Sequence, residues 1–348
     1  MTYFSPEPKH RREDFFDMDR ELQEFLVAMR GGKLVVVSGF RRYGKTSLIL
    51  TGLNEAAVDY VFLDCRLLPS GAIALDDLRD LLEAELNKRS WARRVLRGVE
   101  GISIGDVSIR FREKGQDLLI RILERLKDKV LVIDEAQELR RLRARFDSLL
   151  AYAYDHLDVK VVLSGSYVGL LHRFLREDDT EAPLFGRAYT EVKVGRLDRE
   201  KGREFLMEGF RQEGAQAPRE EIERALDKFD GVIGWLTHFG FASTKSGEPV
   251  ASIFDKASRL AVSEVTHALK MYGVGERRYK EVLRIIASLE TATWSEVKRG
   301  VEARLGRTPN NALSRILRNL VDLGFIEKDG EGYRVSEPVL KNGISKFL

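Results

Sequence analysis

The sequence predicts an α/β protein in three parts: a parallel-sheet core with a phosphate-binding loop, a helical block, and a C-terminal winged helix. Three observations predict it. An apolar run over residues 34–37 leads into Gly39-Phe40-Arg41-Arg42-Tyr43-Gly44-Lys45-Thr46 and then into the helix-prone stretch that starts at Ser47. A second apolar run, residues 130–133, ends in two acids, Asp134 and Glu135. After residue 275 the pattern becomes three helices and a β-hairpin.

The first observation carries the most chemistry. A β-prone run, a glycine-bounded loop and a helical run give strand, loop, helix, the setting in which G-x-x-x-x-G-K-[ST] cradles a phosphate. Gly39 and Gly44 let the backbone wrap an anion so that successive N–H groups point inward. The helix that opens at Lys45 adds its positive end. In this reading the loop residues Gly39, Arg41, Arg42, Tyr43, Gly44, Lys45, Thr46 and Ser47 surround the phosphates. Lys45 reaches the β- and γ-phosphates, and the Thr46 hydroxyl ligates Mg²⁺.

The acid pair completes the pattern. Adjacent carboxylates at the end of a buried strand repel each other and call for a cation or a proton nearby. A Mg²⁺–nucleotide meets that need: Asp134 would hold the metal, directly or through water, and Glu135 would act as general base toward an attacking water. The next buried run, residues 159–163, ends at Ser164-Gly165-Ser166 and is expected beside the acid strand. Either Ser164 or Ser166 can report the γ-phosphate from there. Arg187, in the loop Pro183-Leu184-Phe185-Gly186-Arg187, is a candidate for neutralising transition-state charge, within the chain or on a neighbouring subunit.

The remaining elements follow in order. Residues 1–13 read as a loosely docked arm. Leu22, Phe25, Leu26 and Met29 fall at helical spacing in a helix over 15–29, stopped by Gly31 and Gly32. Residues 59–64 form a second short strand and 75–87 a charged helix that residues 91–96 could extend. Alternation at Ile102, Ile104, Val107, Ile109 and Phe111 around Gly105-Asp106 predicts a hairpin flap. Helices are expected over 116–127 and, rich in arginine, over 139–150; a strand is expected over 189–194. From residue 198 to 274 the pattern is helical without strands, a lid. In the last part helices are expected over 279–289, over 294–301 with Thr293 as N-cap, and over 309–323 with Thr308 as N-cap and Pro309 at its first position. Gly324 ends the third helix, and an Asp-Gly turn at Asp329-Gly330 joins the two strands of the wing. The domain limits are therefore 1–197, 198–274 and 275–348.

Composition narrows the class. In 348 residues, 43% are hydrophobic and 32% charged, as in a globular protein. No run approaches the ~18 apolar residues of a membrane span, so a cytoplasmic protein is expected. The formal charge of +3 gives no chain-wide nucleic-acid signature. Residues 276–348 are mildly basic, with 14 basic against 10 acidic side chains. Arg304, Arg307, Arg315 and Arg318 lie on or near the third helix of the wing domain, the one that enters the major groove in DNA-binding versions. Duplex DNA or a protein partner thus remain alternative outputs. Cys65, the single cysteine, excludes an intrachain disulfide and is expected as a small buried hydrophobe.

These motifs together resemble those of the archaeal ATPases, a group of AAA+/STAND-related P-loop ATPases with a C-terminal winged helix. Arg41-Arg42-Tyr43-Gly44-Lys45-Thr46-Ser47-Leu48 is similar to that family's R-R-x-G-K-T-S-L loop. Asp134-Glu135-Ala136-Gln137-Glu138-Leu139 resembles its D-E-x-Q-x-L segment, Ser164-Gly165-Ser166 its post-strand G-S, and Leu184-Phe185-Gly186-Arg187 its L-[YF]-G-R loop. The stretches that begin at Phe16 and at Tyr333 resemble its opening and closing segments. The resemblance implies a P-loop NTPase parallel-sheet core with an AAA+/STAND-like lid, bound ATP or ADP with Mg²⁺, ATP hydrolysis, and the possibility of a homo-oligomer. The departure lies in the lid: the family reads G-G-x-P where this chain has Gly231-Val232-Ile233-Gly234-Trp235, with Trp235 in place of proline.

Overall fold

A computed structural model describes residues 2–105, 108–175 and 180–348. The chain forms two compact units, each discontinuous in sequence. One comprises Pro8–Phe40 and Lys45–Val194; the other comprises Met1–Glu7, Arg41–Gly44 and Gly195–Leu348.

The first unit is built on a five-stranded parallel sheet. Its strands are β1 (Leu34–Ser38), β2 (Tyr60–Asp64), β5 (Val130–Asp134), β6 (Lys160–Gly165) and β7 (Thr190–Lys193), in the order β2-β5-β6-β1-β7. A small antiparallel hairpin, β3 (Ile102–Ile104) and β4 (Ile109–Phe111), falls between β2 and β5 in sequence. Every residue of β1 and of β5 is buried. That is why both read as unbroken apolar runs: parallel strands covered on both faces have no solvent side to alternate toward. The chain leaves β1 through helix Lys45–Glu55 to reach β2 at the far edge, whereas β7 lies on the other side of β1. Strand order therefore diverges from β1, and the crevice at the carboxyl ends of the strands there is where open α/β sheets bind ligands. Register puts Leu63 beside Ile133 and Ile133 beside Leu163. The ends of β2, β5 and β6 are thus level, and Ser164 comes beside Asp134.

The expected arginine-rich helix over 139–150 is two elements. A 3₁₀ turn, Ala136–Arg141, is followed by helix Phe146–His156. Between them Leu142 is extended and forms a parallel bridge with Ile73, whose N–H donates to Arg141 O and whose O accepts from Arg143 N–H, both at 3.0 Å. The apolar spacing runs on across this break, and a distant pairing partner overrides it. The hairpin forms as expected, although Asp106 and Val107 at its tip lie outside the described residues. Ile109 and Phe111 are buried in the core of this unit, so the flap packs on its own domain. Cys65 is fully buried, and burial, helped by the nearby Asp134, pushes its thiol pKa well up. The first helix runs Asp19–Gly31, four residues later than expected, with Met18 left-handed at its N-cap.

The second unit holds both the helical block expected as a lid and the winged helix. Lid helices run Arg199–Gln212, Arg219–Phe229, Ile233–Ser246 and Val250–Leu269. The winged helix has helices Glu276–Ala287, Trp294–Leu305 and Asn310–Asp322, then strands β8 (Ala292–Thr293), β9 (Ile326–Asp329) and β10 (Gly332–Val335) in the order β8-β10-β9. A last helix, Pro338–Phe347, packs back on the long lid helix, where Asn342 Nδ2 donates to Ser258 Oγ at 2.9 Å. Thr293 caps its helix through a capping box with Glu296. Thr308 does not cap: its hydroxyl turns back to Gly306 O, and Pro309 itself occupies the N-cap. The wing turn is also shifted by one. Asp329 pairs with Gly332, so Gly330 (φ +58°) and Glu331 form the two-residue turn. Glycine at the first turn position matches the II′ geometry that suits strand twist. No helix among the described residues is long and apolar enough to cross a membrane.

The arm is the clearest departure. Phe4 is fully buried in the second unit, edge-on to Phe205 and Phe210. Gly209 and Gly240 make its socket, since a Cβ at either would come 2.3 Å from the ring. Phe4→Ala should destabilise this unit by about 3 kcal/mol, the usual cost of deleting a buried ring. A urea midpoint equal to that of the parent would show the arm to be dispensable.

Candidate nucleotide site

The phosphate loop begins where β1 ends. Gly39 takes φ +152°, and a Cβ there would lie 2.4 Å from Val194 O, so only glycine fits. Lys45 then opens the helix Lys45–Glu55. Its Nζ is buried and donates to Gly39 O at 2.8 Å, to Phe40 O at 2.9 Å and to Ser166 Oγ at 3.0 Å. The first two bonds fold the lysine back over its own loop; the third ties it to the tip of β6.

Around it the structure brings together five other predicted residues. Thr46 Oγ1 donates to Asp134 Oδ2 at 3.0 Å, and Ser164 Oγ donates to Asp134 Oδ1. Glu135 accepts from Ser166 Oγ (2.5 Å), Ser166 N–H (3.0 Å) and Gln137 Nε2 (2.7 Å). The two serines thus divide the acid pair: Ser164 serves Asp134, and Ser166 links Glu135 to Lys45. The two acids titrate apart. Burial, with Glu135 beside it, pushes Asp134 above the usual carboxylate range. Burial acts on Glu135 in the same sense, but Lys45 and the bonds from Ser166 and Gln137 outweigh it and hold that carboxyl low. Glu135 also sits at φ +54°, a left-handed conformation that is uncommon outside glycine and concentrates at functional sites.

The residues fit a magnesium ion. A hydroxyl and a carboxylate 3.0 Å apart are hard oxygen donors of the kind Mg²⁺ takes, one or two from protein and the rest from water and phosphate. No group of three or more His, Cys, Asp or Glu among the described residues could hold a metal ion.

Other predicted residues lie elsewhere. Ser47 Oγ accepts the Lys9 N–H at 3.0 Å, which anchors the chain ahead of the first helix. Arg41 and Arg42 direct their guanidinium groups to Glu264 in the lid, at 3.2 and 2.7 Å. Arg42 also stacks over the Trp235 ring, 4.0 Å from its centroid, and its carbonyl accepts the Gly234 N–H at 2.9 Å. Gly234 has to be glycine, because a Cβ there would lie 2.7 Å from that of Arg42. This glycine therefore lets the lid helix approach the loop apex closely. Trp235 Nε1 donates to the Glu337 carboxylate at 3.2 Å. Tyr43 is buried, which pushes its phenol up to about 12.

Arg187 is far from this cluster. Thr190 pairs with Val35, so Arg187 lies before the amino ends of the strands, whereas the loop follows their carboxyl ends. There it ion-pairs with Asp155 and donates to Pro183 O. The expectation that Arg187 completes the site within its own chain does not hold in this structure. Gln137, Glu264 and Glu337 were not singled out from sequence. Gln137 had a signal, its place in the Asp134-Glu135-Ala136-Gln137-Glu138-Leu139 segment; the other two become visible only through contacts across more than a hundred residues.

The model of an ATPase domain found predominantly in Archaea matches residues 15–239, and that of the MCM C-terminal winged helix-turn-helix matches residues 275–336. The chain belongs to this archaeal-type ATPase family. The Walker-type ATPase PAby2304 of Pyrococcus abyssi is 30% identical over 98% of this chain and 99% of its own, with a TM-score of 0.85. Cdc6p of Pyrobaculum aerophilum and RuvB of Thermotoga maritima, the latter a Holliday junction branch migration motor, are each 15% identical over 96% or more of both chains, with TM-scores of 0.49. No curated sequence matches the ATPase. The family and the fold establish a P-loop ATPase with a winged helix.

Glu337 supplies a pH test. Burial pushes its carboxyl up to about 7, against the lowering effect of Trp235, Arg42 and Arg196. A raised acid pKa favours the protonated fold, so this group's stabilising contribution is full below about 4.5 and fades as pH rises through 7. Glu337→Gln should be more stable than the parent at pH 8 by about 1–2 kcal/mol, allowing for partial solvent access, and equal to it near pH 4. Urea midpoints at the two pH values check this; a gap that does not change with pH rejects it.

Proposed function

We propose that the ATPase binds Mg²⁺–ATP and works as a nucleotide-driven switch whose output is the winged helix. The observation that carries this reading is the single hydrogen-bonded cluster of Lys45, Thr46, Asp134, Glu135, Ser164 and Ser166 at the carboxyl edge of the sheet. Lys45 and the loop amides take the phosphates. Thr46 and Asp134 hold the metal, which supplies charge neutralisation at the β- and γ-phosphates. Glu135, its carboxyl held low, orients water and accepts its proton. Ser166 touches both Lys45 and Glu135, which favours it over Ser164 as the γ-phosphate reporter. Since Arg187 lies before the amino ends of the strands, a role for it in turnover would require a nucleotide on a neighbouring copy in a homo-oligomer. The output assignment is supported by Arg41–Gly44 falling in one compact unit with the winged helix.

Glu135→Gln should leave ATP affinity unchanged and lower turnover by about 10²-fold or more, the range of general-base catalysis. Lys45→Ala should abolish ATP binding. Parental turnover in the first variant removes the general-base role; parental affinity in the second removes the phosphate-loop reading.

A second reading, ATP-controlled grip on duplex DNA, is favoured by the third winged-helix helix. Asn310–Asp322 buries Leu313, Ile316, Leu317 and Leu320 and exposes Asn311, Ser314, Arg315 and Arg318. Arg307, Arg315 and Arg318 make no ion pair among the described residues, as suits side chains meant for phosphates. With three phosphates neutralised, log K should fall against log salt with a slope of roughly −3. Removing Arg315 and Arg318 should bring the slope to about −1. No binding to duplex at low salt leaves a protein partner as the output.

A further inference from the structure

We infer that Trp235 and Glu337 are positioning residues for the phosphate loop, and that they set ATP affinity from the lid and the winged helix. The inference rests on the nucleotide reading of the loop and extends it to two residues that touch no phosphate.

The loop apex is held at several points along its two arginines. Arg42 is in the left-handed region at φ +67°, which a residue with a side chain adopts only when its surroundings hold it there. Its carbonyl is fixed by the Gly234 N–H, its Nη2 by Glu264, and the face of its guanidinium by the Trp235 ring. Arg41 meets the same Glu264. A cation over an indole is worth more as it is desolvated. Arg42 is half-buried and Trp235 is 1% exposed.

Trp235 is in turn fixed in plane. Its backbone N–H donates to Val232 O at 2.9 Å, and its indole N–H donates to both Glu337 oxygens, at 3.3 and 3.2 Å. Glu337 is the N-cap of the terminal helix Pro338–Phe347 and directly follows the wing strand β10 and Ser336. A continuous chain of contacts thus runs from wing to Glu337, to Trp235, to Arg42, and into the turn whose amides face the phosphates. Proline at position 235 would lack the indole, the stack and both N–H donors. The departure from the family pattern therefore adds a contact chain rather than deleting one.

Two consequences separate positioning from mere structure. The loop backbone should be less well ordered for phosphate when the indole–carboxylate bond is lost, although no ligand atom is removed. An acceptor of the same shape should restore it, because the indole needs an acceptor and not a charge.

The test uses the full chain with Mg²⁺ and a fluorescent N-methylanthraniloyl derivative of ATP, read by anisotropy at a temperature well below each variant's melting point. Trp235→Phe keeps the ring and loses the donor; Glu337→Ala loses the acceptor; Glu337→Gln keeps one. Losing one buried hydrogen bond in the chain should raise Kd by about five- to tenfold in the first two variants, while Glu337→Gln stays within about twofold of the parent. Parental Kd in both Trp235→Phe and Glu337→Ala overturns the inference, even if their melting points fall, because that pattern is a purely structural role. Glu337→Gln as weak as Glu337→Ala also overturns it, by placing the effect on charge. A parent chain that does not bind the nucleotide would instead refute the nucleotide reading itself, which keeps the two failures apart.

Discussion

Two adjacent carboxylates, one buried and one half-buried, constrain everything around them. Asp134 and Glu135 end a strand with no exposed residue, and each needs compensation in a place where water supplies little. The fold answers with different partners for each. Hydroxyls from Thr46 and Ser164 serve Asp134, which keeps a raised pKa and an oxygen set suited to a cation. Lys45, through Ser166, and the Gln137 amide serve Glu135, which stays ionised. The parallel register of β5 and β6 makes this division possible, because it sets Ser164 level with Asp134 and carries Ser166 one step beyond.

Much of this was legible in the sequence, and the reason is physical. β1 and β5 are covered on both faces, so they had to be written as unbroken apolar runs, and their polar termini stood out against that background. Glycine at position 39 and the Lys45-Thr46 pair belong to a loop whose geometry depends on residues close in sequence. The helix expected over 139–150 shows the limit of local pattern. Its spacing from Leu139 to Leu150 is helical, yet Ile73 pulls Leu142 into an extended bridge from almost seventy residues away. Phe4 was illegible for a related reason: the pair Tyr3-Phe4, followed by prolines and charges, has no period, and the Phe4 socket is made by Gly209 and Gly240.

The arginines tell the same story in electrostatic form. Arg41 and Arg42 looked like phosphate ligands because they sit in the loop, but the acid they meet, Glu264, is more than two hundred residues away. Arg187 looked like a neutralising group because of its loop, but its partner is Asp155, near the end of the helix Phe146–His156. In both cases sequence gave the charge and not the counter-charge. A cation in a folded protein is assigned by what surrounds it, and for these three the surroundings are assembled from distant segments.

The interleaving of the two compact units has a consequence for how the protein can be taken apart. The chain crosses from one unit to the other at residues 7–8, 40–41, 44–45 and 194–195. A gene cut at any one of these points does not yield two complete pieces. A fragment beginning at Gly195 would leave behind Phe4, and with it the plug between Gly209 and Gly240; it would also leave Glu264 and Trp235 without Arg42. The complementary fragment would keep Lys45 and the acids but carry its loop apex unsupported. Modular exchange of the winged helix between relatives is therefore hindered by covalent connectivity itself, and inheritance of the two units as one piece is the simplest outcome of such a chain path.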